Sequence, residues 1–83
     1  MGDETTIINI TVQSFGQLAE TIGRTQSITV QSNATIVEAI TSLGIESWIE
    51  NGITVAINGN MCHLESILSD GDELTLLPPV SGG

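Results

Sequence analysis

The residues best placed to do chemistry are the last ones, Pro78-Pro79-Val80-Ser81-Gly82-Gly83. They follow the alternating run Glu73-Leu74-Thr75-Leu76-Leu77, which reads as a β-strand. Proline has no N–H to donate, so a strand that ends in Pro-Pro cannot continue its ladder. The chain is expected to leave the sheet there as a stiff, extended arm. Ser81, Gly82 and Gly83 carry almost no side chain, and glycine loses the most conformational freedom when it is ordered. A folded domain gains nothing from such an ending. It suits a carboxylate, that of Gly83, which must thread into the narrow catalytic pocket of another protein. At ~3.3–3.6 Å per extended residue, the arm from Pro78 to Gly83 reaches roughly 20 Å.

Other reactive side chains make weaker candidates. Cys62 beside His63 is the chain's one thiol, and its activation would need a geometry that spacing does not supply. A lone cysteine is more often a small packing residue. His63 has no partner at ligand spacing, so it reads as a surface histidine and no metal site is expected. Asp70, Asp72 and Glu73 lack the remaining ligands of a calcium loop and read as a solvated turn. Trp48, between Ile45 and Ile49, reads as a partly buried core residue. With Leu74 and Leu76 facing inward, Leu77 points outward beside the tail and near Ala56. Leu77, Ala56 and Phe15 form a candidate partner patch. Ser42-Leu43-Gly44 in a small acidic chain invites comparison with acyl carrier proteins. Ser42 stands near a helix end, however, and the strand content is wrong for a helical bundle.

The elements that must position the arm can be read from periodicity. Ile8, Ile10 and Val12 alternate with polar residues as a half-buried strand. Phe15, Leu18, Ala19 and Ile22 lie at helical spacing, closed by Gly23. Ser27 to Val30 reads as a second strand, antiparallel to the first. Thr35 and Glu38 form a capping box that opens a helix with Ile36, Ile40 and Leu43 on one face and Gly44 at its end. Ile45, Trp48 and Ile49 suggest a further short turn. Ile53, Val55 and Ile57 form a third strand, and Asn58-Gly59 is a hairpin signal. Met61 to Leu64 reads as a short edge strand, Ser66 to Leu68 as one helical turn, and Asp70-Gly71-Asp72 as a tight turn. One amphipathic helix thus has a mixed sheet to cover, an α+β plan of the β-grasp, ubiquitin-like kind. Residues 1–6 are expected to be a disordered segment, 7–77 the domain and 78–83 the functional tail.

Composition narrows the function. Eighty-three residues make one small domain, and 40% hydrophobic content argues against disorder. A single cysteine excludes an intrachain disulfide. The polar, acidic N-terminus is no signal peptide, and no apolar run approaches a membrane span. The expected location is cytoplasmic, with no membrane partner. Ten acidic residues stand against Arg24 alone, giving a net charge of −9. Nucleic-acid binding needs Lys and Arg to neutralise phosphates, so it is disfavoured. The acidic surface favours basic protein partners and speeds their encounter. There is no lysine.

Across nearly its whole length the chain resembles the MoaD/ThiS-type ubiquitin-like sulfur carriers, a group that includes the archaeal small modifier proteins. The resemblance rests on the approach to Phe15, on Ala19-Glu20-Thr21-Ile22-Gly23, and on the helix start Ala34-Thr35-Ile36-Val37-Glu38-Ala39-Ile40. It continues through Asn58-Gly59, Leu68-Ser69-Asp70-Gly71-Asp72-Glu73-Leu74 and, most sharply, Leu77-Pro78-Pro79-Val80-Ser81-Gly82-Gly83. Leu76-Leu77 stands where two aromatics are common, and the segment between Leu43 and Thr54 is short. The resemblance implies that the chain is not itself an enzyme and holds no cofactor. A separate adenylating enzyme would use ATP to convert the Gly83 carboxylate to an acyl-adenylate, and sulfur would replace AMP to give a thiocarboxylate. In a molybdenum-cofactor role the tail, Pro78 to Gly82 included, would enter a MoaE-like synthase subunit. In a modifier role, like that of the archaeal small modifier proteins, Gly83 would be joined to lysines of target proteins, with a second role as sulfur carrier in tRNA thiolation open beside it.

Overall fold

The structure, a computed structural model, describes residues 6–79. The tail residues Val80, Ser81, Gly82 and Gly83 and the N-terminal residues 1–5 lie outside the described residues. The elements run β1 (Ile7–Ser14), α1 (Gln17–Ile22), β2 (Thr25–Gln31), α2 (Ile36–Ser42), α3 (Ser47–Glu50), β3 (Thr54–Ile57), β4 (Asn60–Met61) and β5 (Glu73–Leu77). The strands form one mixed sheet in the order β2-β1-β5-β3-β4. Its central pair, β1 and β5, is parallel and the other pairs are antiparallel.

Strict alternation along the strands decides which face is buried. Ile8, Ile10 and Val12 of β1, Val55 of β3, and Leu74 and Leu76 of β5 turn to the same side. There they join Ile36, Ala39 and Ile40 of α2 and Leu18 of α1 in one core cluster. Helix α2 drawn over the inner face of a five-stranded mixed sheet is the β-grasp arrangement. Trp48, Ile49 and Cys62 are partly buried against this core, so Cys62 packs as a small apolar residue. No helix among the described residues is long and apolar enough to cross a membrane.

Helix α2 has its first amides and most of its last carbonyls paired. The Thr35 hydroxyl accepts from the Glu38 N–H at 3.3 Å, and the Glu38 carboxylate accepts from the Thr35 N–H at 3.1 Å. Two further N-terminal amides, Ile36 and Val37, donate to the carbonyls of Ser66 and Leu64, both at 3.1 Å. At the other end the Ile45 N–H donates to Ile40 (3.3 Å) and the Gly44 N–H to Thr41 (3.0 Å), a Schellman closure with Ile40 and Ile45 both buried.

That N-terminal arrangement corrects one expectation. Ser66 to Leu68 is not a helical turn. Ile67 forms an isolated antiparallel bridge with Thr35, and the Leu68 N–H donates to the Ala34 carbonyl at 2.8 Å. Extended backbone can offer its carbonyls sideways to the orphan amides of α2, whereas a helical turn directs them along its own axis. Boundaries shift as well. β2 extends to Thr25–Gln31, β4 is Asn60–Met61 and shares only Met61 with the expected strand, and Phe15 falls outside α1. At the N-terminal side, Thr6 is tied to the sheet, its carbonyl accepting from the Ser32 N–H at 2.8 Å.

Candidate functional site

The tail leaves from the middle of the sheet. β5 runs between β1 and β3, pairing Leu76 with Ser14 on one side and Leu77 with Thr54 on the other. Past Leu77 both neighbouring strands give way to glycine-bearing loops. Gly16 follows β1 with φ 61°, and Gly52 precedes β3 with φ 92°. A Cβ built on Gly16 would stand 3.0 Å from Cγ of Pro78, and one on Gly52 would stand 4.0 Å from Cβ of Pro79. Each proline of the tail root therefore lies over a residue that has no side chain. At Gly16 both the backbone conformation and the close approach require glycine. Pro78 and Pro79 are half-buried, so the root of the arm is held against the end of the sheet.

Around this root lies the outer face of the sheet. One row crosses all five strands: Thr25, Gln13, Thr75, Ala56 and Met61. The next row inward holds Ser27, Thr11 and Glu73. Among the outward residues of the strands only Glu73 is charged, and its carboxylate accepts from the Gln13 amide. The rest of the chain's described acids sit on helices and loops: Glu20, Glu38, Glu46, Glu50, Glu65, Asp70 and Asp72. The result is a nearly uncharged plate, rich in hydroxyls and amides, on a chain of net charge −9.

The three residues of the expected partner patch fare differently. Leu77 is half-buried on the outer face beside Thr54. Phe15, next to Ser14 at the end of β1, is 48% exposed. Ala56 lies diagonal to Leu77 but is only 7% exposed. Its short side chain sits between Thr75 and Met61 in the cross-strand row, so it offers a partner almost no surface. The exposed apolar residue of that row is Met61, at 71%, which sequence reading passed over because β4 gives no periodic signal of its own. A cleft of about 510 Å³ flanks the tail root, lined by Phe15, Gly16, Ala19, Arg24 and Thr25 among others. It brings Arg24, the chain's one Lys or Arg, to the same end of the sheet as Pro78. Gly16 and Gly52 were also missed. Their role depends on Pro78 and Pro79 meeting them through strand pairing, which no local pattern reports.

The other candidates do not assemble into a site. His63 is exposed and its backbone N–H donates to the Ser66 hydroxyl at 3.2 Å. Asp70 and Asp72 accept from the backbone of Asn9 and Ser69 and from the Asn58 amide, which ties the Asp70-Gly71-Asp72 turn to the hairpin Asn58-Gly59. No cluster of three His, Cys, Asp or Glu side chains among the described residues is arranged to hold a metal ion.

Comparison with known proteins points the same way as this geometry. Residues 12–83 match the profile of the ThiS family. Small archaeal modifier protein 1 of Haloferax volcanii is 35% identical over 82 residues, spanning 83% of this chain and 94% of that protein. Its crystal structure aligns with a TM-score of 0.72 at 34% identity, over 90% of this chain and 99% of the other. The solution structure of the Haloferax volcanii HVO 2177 protein aligns with a TM-score of 0.82 at 25% identity, over 100% of this chain and 93% of the other. A protein–protein complex of subunits 1 and 2 of the molybdopterin-converting factor from Helicobacter pylori contains a chain 28% identical, with a TM-score of 0.57, over 92% of this chain and 100% of that one.

Proposed function

This chain belongs to the ThiS family, and from that premise we propose that it is a ubiquitin-like sulfur carrier acting through Gly83. A separate adenylating enzyme transfers AMP from ATP to the Gly83 carboxylate and releases pyrophosphate. A sulfur nucleophile then displaces AMP and leaves a thiocarboxylate. The sulfur goes on to a pterin precursor in molybdenum cofactor biosynthesis, with the tail docked in a MoaE-like synthase subunit. The chain supplies no catalytic side chain of its own. It supplies a narrow arm and a root that aims it.

The observation that carries this reading is that the family match runs through residue 83 while Pro78 and Pro79 are seated over Gly16 and Gly52. A proline-stiffened root limits the freedom that must be lost when the arm enters an active site. The complex from Helicobacter pylori supports a synthase role.

A second reading has an observation of its own. The relative at 35% identity is a modifier protein, which favours conjugation of Gly83 to lysines of target proteins after the same activation. Since the chain has no lysine, it cannot receive a copy of itself through a lysine isopeptide bond, and targets would be marked singly or by chains built through its N-terminal amine or through other modifiers. Mass spectrometry of the native protein separates the two readings. A carrier is present free, as carboxylate and as thiocarboxylate heavier by the difference between sulfur and oxygen. A modifier leaves its C-terminal remnant on target lysines. Absence of thiocarboxylate under sulfur-replete conditions would overturn the carrier reading.

A further inference from the structure

The sheet has two edges, and they are finished differently. At one edge β4 is two residues long, Asn60–Met61, and very short edge strands leave little to pair with. At the other, β2 runs for seven residues, Thr25-Gln26-Ser27-Ile28-Thr29-Val30-Gln31. It contains no charged residue and no proline, the usual devices that stop a free edge from pairing. β-Branched residues dominate it, and these favour a pleated strand.

The backbone of β2 is oriented so that the open groups can be named. The Ser14 N–H donates to the Arg24 carbonyl (2.9 Å), and the Ser32 N–H donates to that of Thr6 (2.8 Å). Residues 24 and 32 thus face β1, and with alternation so do Gln26, Ile28 and Val30. Thr25, Ser27, Thr29 and Gln31 turn their backbone groups away from the sheet. Of these, the Gln31 carbonyl is used by the Ala34 N–H at 3.0 Å. Beside the same edge, between the last residues of β2 and helix α2, lies a groove of about 220 Å³ lined by Thr29, Val30, Gln31, Ala34, Glu38 and Ser42.

We propose that the edge of β2, unpaired among the described residues, and this groove receive an extended, cationic segment of a partner protein, which adds to the sheet as a sixth strand. Main-chain hydrogen bonds to Thr25, Ser27 and Thr29 hold it, and one aliphatic side chain enters the groove beside Val30 and Ala34. Charge selects the occupant. Glu38 lines the groove at one end of the strand and Arg24 precedes the other, so a segment with Lys or Arg at the Glu38 end and a carboxylate at the Arg24 end is favoured. The net charge of −9 adds a general preference for cationic partners and opposes a second copy of this chain. Seven residues of strand also fall well short of the roughly 20–30 residues a side of a standard stable interface. The site does not depend on the proposed chemistry of Gly83. β2 is separated from β5 by β1, so a partner on this edge leaves the tail free to act elsewhere.

The test is amide hydrogen exchange on the full chain with a synthetic heptapeptide of alternating Val and Thr, extended by two Lys at one end and one Asp at the other, so that it is cationic overall. The expected result is protection of the Thr25, Ser27 and Thr29 amides, with at least tenfold weaker binding for Glu38→Lys. Ser27→Pro removes only an outward N–H, and Thr29→Lys provides a second edge block that leaves the β2 backbone unaltered. Both should abolish peptide protection while the tail remains a substrate for adenylation. No protection by the peptide, or binding that survives Thr29→Lys and Glu38→Lys, overturns the proposal. Protection of the same amides by rising protein concentration alone would also overturn it, in favour of self-pairing.

Discussion

On the inner face of β5, Leu74 and Leu76 are fully buried in the cluster that includes Ile36 and Ile40 of α2. On its outer face, Thr75 and Leu77 stay half-buried among Gln13, Ala56 and Thr54. Five residues of one strand therefore answer to two different demands. The inner residues are set by packing density, where each methylene counts. The outer ones have only to form a strand and leave a surface that a partner can cover. The same division holds across the sheet, which is apolar beneath α2 and almost uncharged outside. The buried core lies on one side of the sheet, and the proposed contact with partners lies on the other.

Substitutions on the two sides should separate cleanly. The largest stability loss is expected for Leu76→Ala, at about 2–5 kcal/mol for a fully buried leucine, measured by urea denaturation. Next is Gly16→Ala at the tail root. Its φ of 61° and the 3.0 Å approach to Pro78 predict a cost of about 1–3 kcal/mol and shifted Pro78 resonances in NMR spectra. Gly52→Ala shares the positive φ but meets Pro79 only at 4.0 Å, so its loss should be the smaller of the two. An equal loss at both sites would mean that Pro78 is not held by Gly16. Thr35→Ala removes the hydroxyl that caps α2 and should lower stability by about 1 kcal/mol, read as a drop in Tm. The smallest stability effect belongs to Leu77→Arg, within about 0.5 kcal/mol. That variant should nevertheless slow capture by the adenylating enzyme several-fold. Rising salt should slow the unaltered protein too, since it screens attraction between this acidic chain and a basic partner. If Leu77→Arg unfolds the protein, the outer face is part of the core and the division fails.

Much of this was legible in the sequence because the signals are local. The Thr35–Glu38 capping box, the Gly44 stop, the Asn58-Gly59 hairpin and the Leu74/Leu76 alternation each lie within a few residues. All four stand in the structure. What was not legible depends on distant partners. Ser66 to Leu68 carries a helical pattern, but its carbonyl at Ser66 is claimed by the Ile36 amide, so it extends instead. Phe15 fits a helical stripe with Leu18 and Ile22, yet Gly16 has a non-helical backbone and separates it from α1. Ala56 has the right parity for the outer face, but small size between larger neighbours buries it. The tail root itself joins Gly16 to Pro78 across most of the chain's length, a contact that only the parallel pairing of β1 and β5 creates.

The central claim is that the folded domain exists to present Gly83. It is tested most directly by comparing the full chain with one lacking Gly82 and Gly83, in a pyrophosphate-release assay with the cognate adenylating enzyme and ATP. The shortened protein is expected to keep the Tm of the full chain, because among the described residues no core residue lies beyond Leu76, and to release no pyrophosphate above background. Pyrophosphate release undiminished by the deletion would contradict it.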